Sequence, residues 1–245
     1  MFMPRFFIDD IPAGESVYTL AGENARHISR SLRMKTGDML TVCTPLQMDC
    51  LCEITEITSD EVILKLLSQT ENQSEPKTQI TVYQCLPKSD KLETVAQKIT
   101  ELGAVKLVPV ESSRCIAKAE KWEKKQARLQ KIVLEAAKQS GRGKVLPVTF
   151  PLSLGEALKQ AANEGEIIFF YEEGGEPLKS ILREIPAASV IGIFIGPEGG
   201  FSEQEAMLAK AEGAKTATLG KRILRTETAA PAAVSMILYE RDEMQ

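Results

Sequence analysis

The sequence predicts an α/β protein with a mostly parallel sheet, preceded by a small β-rich domain. Three observations carry this. From residue 80 onward, strand-like apolar runs alternate with helical periodicities, as in chains of β-α units. Two of those runs, "EIIFFY" (166–171) and "SVIGIFIG" (189–196), are continuously apolar, as strands buried on both faces are. Before residue 70 the runs are short and strand-like, separated by short turns such as Thr36-Gly37-Asp38 and Ser59-Asp60.

In the first part, "MLTVC" (39–43), "CLCEITEI" (50–57) and "EVILKLL" (61–67) are rich in β-branched residues and partly alternate. A small barrel would remove their exposed edges. One helical stretch, "ENARHISRSLR" (23–33), interrupts them. "QTENQSEPKT" (69–78) is polar throughout and reads as the linker. The expected organisation is a β-barrel over residues 1–70, a linker over 71–78 and an α/β domain over 79–245.

In the second part "ITVYQCL" (80–86) is a strand, followed by a helix with Leu92, Val95, Ala96, Ile99 and Leu102 on one face. "VKLVPV" (105–110) is the next strand, and a long helix carries Leu129, Ile132, Val133, Ala136 and Ala137. A shorter helix spans 154–162. Ser202 and Glu205 form a capping box that opens a helix over 203–212, and "KTATLG" (215–220) is one more strand. A last helix is predicted from about Ala229 to Glu240, with Pro231 near its start, where the missing N–H is harmless.

The composition narrows the function. The chain has 245 residues, 43% of them hydrophobic and 26% charged. No run approaches the roughly 18 apolar residues of a membrane span, and "MFMPRFFIDD" is too charged and too short in its apolar part for a signal peptide. A cytoplasmic protein is expected. The net charge of −4 argues against non-specific coating of nucleic acid. Locally, residues 112–144 hold ten Lys/Arg against three Glu, which is either a nucleic-acid face or a solvated helix surface. The five cysteines lack a CxxC pair and have only His27 for company, so reduced, buried thiols without a metal are expected.

The chemistry concentrates in two loops. "FIGPEGGFSEQE" (194–205) follows a strand end, where α/β sheets bind ligands. Its glycines let a backbone approach a ligand closely. A phosphate cradle fits poorly, because no Lys-Ser/Thr follows and Glu198 would repel the anion. A neutral or cationic ligand, such as one whose adenine is held by main-chain contacts, suits it better; a bare strand-to-helix turn is the alternative. The second loop, "LGKRILRTETAAP" (219–231), crowds Lys221, Arg222 and Arg225 around Ile223 and Leu224, then places Thr226, Glu227 and Thr228 at a helix start. Two further segments are "LPKSDKLETVAQKITELG" (86–103), with Lys88, Lys91 and Lys98, and "EAAKQSGRGKVLP" (135–147).

"PKSDKLETVAQKITELGA", "EAAKQSGR", "FIGPEGGFSEQE" and "LGKRILRTETA" occur in this order, and "PRFF" and "ARHISRSLRMKTGD" precede them. Together they resemble the RsmE-type 16S ribosomal RNA uridine-N3 methyltransferases of the SPOUT superfamily, over nearly the whole chain. Ser31 and Gln139 depart from the family's usual residues, outside the glycine loops. The resemblance implies a SPOUT-type parallel sheet with a C-terminal trefoil knot and an N-terminal PUA-like barrel that helps bind RNA. It also implies a homodimer, S-adenosylmethionine as donor, and N3 of one uridine in the decoding region of 16S rRNA, within the small subunit, as acceptor. A non-catalytic RNA-binding relative and a SPOUT enzyme acting on tRNA are the alternatives.

By the same resemblance, Ile195, Gly196, Glu198, Gly199 and Gly200 line the cofactor site. Leu219, Gly220, Ile223 and Leu224 hold the adenine, Thr226, Thr228 and Ala229 close the pocket, and Tyr171 and Glu172 form a third wall. Tyr171 as ordinary core is the alternative. For RNA the candidates are Arg5, His27, Arg30, Arg33, Lys88, Lys91, Arg114, Lys118, Arg142 and Arg222. N3 of uracil carries a proton and is a poor nucleophile until it leaves. Arg225 can favour the uracil anion, and either Glu198 or Glu227 can accept the proton. His27, in the small domain, is expected to contact RNA or serve structure.

Overall fold

The computed structural model describes residues 3–8, 16–119, 121–187 and 189–244. Part of the opening stretch discussed above, residues 1, 2, 9 and 10, lies outside them. The chain forms two compact units: residues up to Glu75 together with Ala137–Lys144, and Pro76–Ala136 together with Val145 onward.

The first unit holds β1 (Arg5–Phe7), β2 (Val17–Ala21), α1 (Gly22–Arg26), β3 (Met39–Cys43), β4 (Met48–Ile57) and β5 (Glu61–Glu71). They form one sheet in the order β1-β3-β4-β5-β2, antiparallel except for β1 on β3. The register shifts twice between β4 and β5, with Leu67 of β5 the extra residue opposite Leu51/Cys52 and Thr55 of β4 the extra residue between Ile54 and Glu56; such bulges are the usual device for bending a sheet around its core. That core is Phe6, Tyr18, Leu20, Ile28, Leu40, Val42, Ile54, Val62 and Leu64, with Cys50 and Cys52 on the same inner face. All five cysteines of the chain are buried free thiols.

Two expectations are corrected here. The single helix over 23–33 is instead α1 followed by a π-helical turn, His27–Ser31, in which the Leu32 N–H donates to the His27 carbonyl at 2.9 Å. The stretch 69–71 is not linker but the end of β5, paired with 48–50 of β4. Polar side chains there reflect an exposed strand end rather than an absence of structure.

The second unit continues with β6 (Gln79–Cys85), α2 (Lys91–Glu101), β7 (Lys106–Glu111), α3 (Trp122–Ser140, its last turn lying in the first unit), β8 (Leu152–Ser153), α4 (Leu154–Glu164) and β9 (Glu166–Phe170). Then come β10 (Glu176–Pro177), α5 (Leu178–Glu184), β11 (Val190–Ile195), α6 (Glu203–Ala211), β12 (Lys215–Thr218) and α7 (Thr226–Glu240). The seven strands are all parallel, in the order β10-β12-β9-β11-β6-β7-β8. β11 sits between β6, which leads off to β7 and β8, and β9, which leads the other way to β12. The order therefore reverses at β11, and the carboxyl ends around it form the crevice where such sheets bind ligands.

Local chemistry sets the helix ends. The capping box at Ser202 and Glu205 is present, and a second one at Ser153 and Glu156 opens α4. α7 starts three residues before the expected Ala229. The Arg225 carbonyl accepts from the N–H groups of Thr228 (2.8 Å) and Ala229 (2.9 Å), which begins the helix. Pro231 is thus an interior residue that leaves the Glu227 carbonyl without its usual donor. On α3, Trp122, Gln126 and Gln130, spaced four apart, donate to the carbonyls of Thr149, Val148 and Leu146 at 3.2, 2.7 and 3.1 Å, securing the extended segment before β8. At the other end of the unit, the Glu243 carboxylate accepts from the N–H (2.9 Å) and hydroxyl (2.7 Å) of Thr78, beside the start of β6. No helix among the described residues is long and apolar enough to cross a membrane.

Arg142, expected at an RNA surface, is only 2% exposed. Its guanidinium makes a two-pronged pair with Glu75, Nη2–Oε2 2.6 Å and Nε–Oε1 3.0 Å, within the first unit. Breaking a buried pair from one side leaves a charge uncompensated. Arg142→Met is expected to cost about 3 kcal/mol, read as a lower urea midpoint. A loss below about 1 kcal/mol, typical of a surface pair, would place the pair effectively in solvent.

Candidate active site

A cleft of about 680 Å³ opens at the carboxyl edge of the second unit's sheet, within the usual range for ligand sites. Three strand ends with the loops after them, and one helix start, supply it. β9 runs into Phe170–Glu173, β11 into Ile195–Phe201 and β12 into Leu219–Arg225, while Lys91 reaches in from the first residue of α2.

The glycine loop is shaped by two tight approaches. Gly200 has φ +63°, and a Cβ there would lie 2.9 Å from Glu172 Oε1. A Cβ on Gly196 would come within 3.3 Å of the Gly200 backbone. Gly199 differs. It faces away from the cleft toward Arg114, at ordinary contact distance, and its carbonyl accepts from Arg114 Nη1 at 2.8 Å. Gly199, expected among the cofactor residues, does not line the cleft, whereas its neighbours Gly196 and Gly200 do. The same guanidinium donates to the Phe201 carbonyl at 3.2 Å, so Arg114 braces the loop rather than standing free as a phosphate contact.

The start of the next helix is tied back by Glu205. Its Oε1 accepts from the Ser113 N–H (2.7 Å) and its Oε2 from the Ser202 N–H (2.8 Å). Burial pushes this carboxyl up, but the N–H groups of Ser202 and Ser113 outweigh it and hold the carboxyl below the usual range.

The charged centre is a triad. Lys91 Nζ lies 3.0 Å from Glu198 Oε1 and 3.3 Å from Glu227 Oε2. Only the first contact is an aligned hydrogen bond, since Glu227 Oε2 has no geometrically acceptable donor. Glu198 Oε1 also accepts from the Lys88 N–H at 3.1 Å. Partial burial raises the Glu198 carboxyl, yet backbone N–H donors and the Lys91 ammonium bring it below its ordinary value. For Glu227 its own backbone N–H is the largest influence, and it too is lowered, with Lys91 and Arg225 contributing. The two candidate bases thus share one cation and are weakened as bases. Arg225 lines the cleft and, among the described residues, forms no ion pair.

Behind the wall lies a neutral hydrogen-bond chain. Gln84 on β6 is fully buried, and its Nε2 donates to Thr226 Oγ1 at 2.8 Å. Thr226 in turn donates to the Gly196 carbonyl at 2.7 Å. Gln84 was not among the expected site residues; its one sequence signal is a glutamine inside the apolar run "ITVYQCL". Glu205 reads in the sequence only as a cap, because its Ser113 contact is non-local.

Most expected cofactor residues meet here: Tyr171, Glu172, Ile195, Gly196, Glu198, Gly200, Leu219, Gly220, Ile223, Leu224, Thr226 and Ala229 all line the cleft, whereas Gly199 and Thr228 do not. Tyr171 is buried and donates to Glu173 at 3.2 Å. Of the expected RNA residues, Lys91 and Arg222 line the cleft, and Lys88 and Lys118 are exposed outside it. In the first unit Arg30 and Arg33 are exposed, but Arg5 is spent on Asp49 (2.7 and 2.8 Å). His27 is part-exposed and packs edge-on against Phe6, centroids 5.9 Å apart.

Gly200→Ala forces a side chain into a left-handed backbone, at roughly 1–2 kcal/mol, and displaces Glu172. Its melting temperature is expected to fall by about 3 °C or more, while Gly199→Ala leaves it unchanged. Equal melting of both variants would show that the loop relaxes freely.

A family profile described as "RNA methyltransferase domain" matches residues 73–238, and one described as "RNA methyltransferase PUA domain" matches 20–67. The chain is 33% identical over 232 residues to the ribosomal RNA small subunit methyltransferase E of Bacillus subtilis, covering 92% of this chain and 91% of that one. To the protein of the same name from Aquifex aeolicus it is 32% identical over 188 residues, 76% and 80% of the two chains. A crystal structure of ribosomal RNA small subunit methyltransferase E from Neisseria gonorrhoeae bound to S-adenosyl methionine superposes with a TM-score of 0.87 at 32% identity, covering 97% of each chain. On this shared sequence, fold and pair of domains, the chain belongs to the RNA methyltransferase family, among the ribosomal RNA small subunit methyltransferases E.

Proposed function

We propose that the protein transfers a methyl group from S-adenosylmethionine to N3 of a uridine in the decoding region of 16S rRNA, in the small ribosomal subunit, as a cytoplasmic homodimer. The observation that carries the reading is the cleft itself. One wall is main chain and apolar side chain, and Ile223 at its lip is 84% exposed, apolar surface that an adenine would cover. Glu172, Glu173 and Glu198 also line the cleft, suited to a cationic ligand, and so do the exposed Lys221, Arg222 and Arg225, suited to an anionic one.

These residues fit the cofactor. Gly196, Gly200, Leu219, Gly220, Ile223 and Leu224 would hold its adenosine, with Glu172 toward its charged end. The cofactor, when bound, supplies an electrophilic methyl on a sulfonium. The protein's part is to hold the acceptor in line and help N3 lose its proton. Glu198 and Glu227, lowered by their surroundings, are weak acceptors for it. Arg225, whose guanidinium can donate without giving up a proton, assists by stabilising the uracil anion.

The exposed Lys118, Lys121, Lys124 and Arg128 suit RNA phosphates. Tyr239 and Met236, three apart on α7 and exposed, suit the second copy. The C-terminal knot and the PUA-like unit's RNA contact belong to the same reading.

Mapping N3-methylated uridines in rRNA from cells with and without the protein tests the reaction: one decoding-region uridine should lose its mark. An unchanged map, or a mark lost from tRNA, would refute it. Arg225→Ala should keep cofactor affinity and cut the single-turnover rate about 100-fold, the scale of one lost transition-state donor. Raising the pH should restore part of the rate, since more uracil is then deprotonated unaided. Lost cofactor binding with no rescue at high pH would make Arg225 architectural instead.

A further inference from the structure

We infer that Gln84, which does not line the cleft, is a positioning residue for the cofactor, acting through Thr226 on the Gly196 carbonyl. The inference rests on the cofactor reading above.

Gln84 sits at the end of β6 directly beside Ile195, its register partner on β11. Gly196 follows one residue later. Thr226 is the first residue of α7 and is buried. Its hydroxyl has one hydrogen and must choose a direction. Because Oγ1 accepts from Gln84 Nε2 (2.8 Å), the hydrogen goes to the Gly196 carbonyl (2.7 Å). The second Nε2 hydrogen is committed to the Cys85 carbonyl at 3.0 Å, which fixes the amide's orientation. The chain therefore runs one way, from β6 through the start of α7 to the glycine loop. It joins the loop after β11 to the helix that follows the Leu219–Arg225 loop, the two segments that form opposite sides of the adenosine wall.

A second observation separates this from ordinary core chemistry. Gln84 Oε1 is buried and has no hydrogen-bond partner among the described residues. An unsatisfied buried amide oxygen destabilises a fold. A methionine of similar shape would remove that cost and pack in the apolar strand. Keeping glutamine there makes physical sense if its N–H groups do something that stability alone does not reward, a pattern common at functional sites.

The experiment measures S-adenosylmethionine affinity by calorimetry and melting temperature without ligand, both on the full chain. Gln84→Met should melt no lower than the parent and bind the cofactor about tenfold more weakly. Thr226→Val, which removes the same link from the other side, should weaken binding to a similar degree, and Thr226→Ser should recover most of it. The double variant Gln84→Met/Thr226→Val should be no worse than either single one, because both break one chain. Parental affinity in Gln84→Met would overturn the inference. So would a lower melting temperature with additive losses in the double variant, the result for two independent packing residues. If Gln84→Met does not fold, Thr226→Val against Thr226→Ser decides on the same two readouts. Absence of S-adenosylmethionine binding by the parent chain would instead refute the cofactor reading itself.

Discussion

The position of β11, with a parallel neighbour on each side, is the constraint on which the rest of the second unit depends. Its register pairs Ile195 with Gln84 on β6 and Phe194 with Phe169 on β9. Phe194 stacks flat on Tyr83 at 4.4 Å, and Phe169 meets Phe201 at 4.1 Å, so aromatic rings lock the strand just below its end. A slip of one residue would turn those rings to the other face. Parallel pairing then delivers every carboxyl end to one edge. The glycine loop, the basic loop and the loop of Tyr171 converge there for that reason, though they are far apart in sequence.

At that edge charge is held in check. One ammonium stands between two carboxylates, and all three are partly exposed, so the net contribution to stability is small. The arrangement matters more for reactivity. Carboxylates held below their usual range stay ionised at neutral pH, and whatever they add to the fold is lost as pH falls through that range. In the proposed reaction, deprotonation of uracil would therefore lean on fixed positive charge rather than on a strong carboxylate base.

Much of this was legible in the sequence where the signal is local. The strands 39–43 and 61–67, the face of α2 and the box at Ser202 and Glu205 follow from spacing alone, because caps and periodicities act over a few residues. The glycine and basic loops could be recognised from their density of special residues. What could not be read depended on contacts distant in sequence. Arg142 looks like any basic residue after a helix, yet a carboxylate 67 positions away claims it. Gly199 and Gly200 are equivalent on paper, and only the folded chain distinguishes them, by the left-handed backbone of Gly200 and the positions of Glu172 and Arg114. Pro231 suggested a late helix start, because proline favours first turns, but the Arg225 carbonyl had already begun the helix. The short β10 and α5 carry too few residues for a period to show.

The clasp between Glu243 and Thr78 makes the α/β unit a closed circuit. Its entry and exit are one place, bonded through both the backbone and the side chain of Thr78. Thr78 adjoins β6, and Gln84 lies near the far end of that same strand. Tension on the last residues is thus applied not to a loose tail but to the root of the strand whose tip steadies the glycine loop.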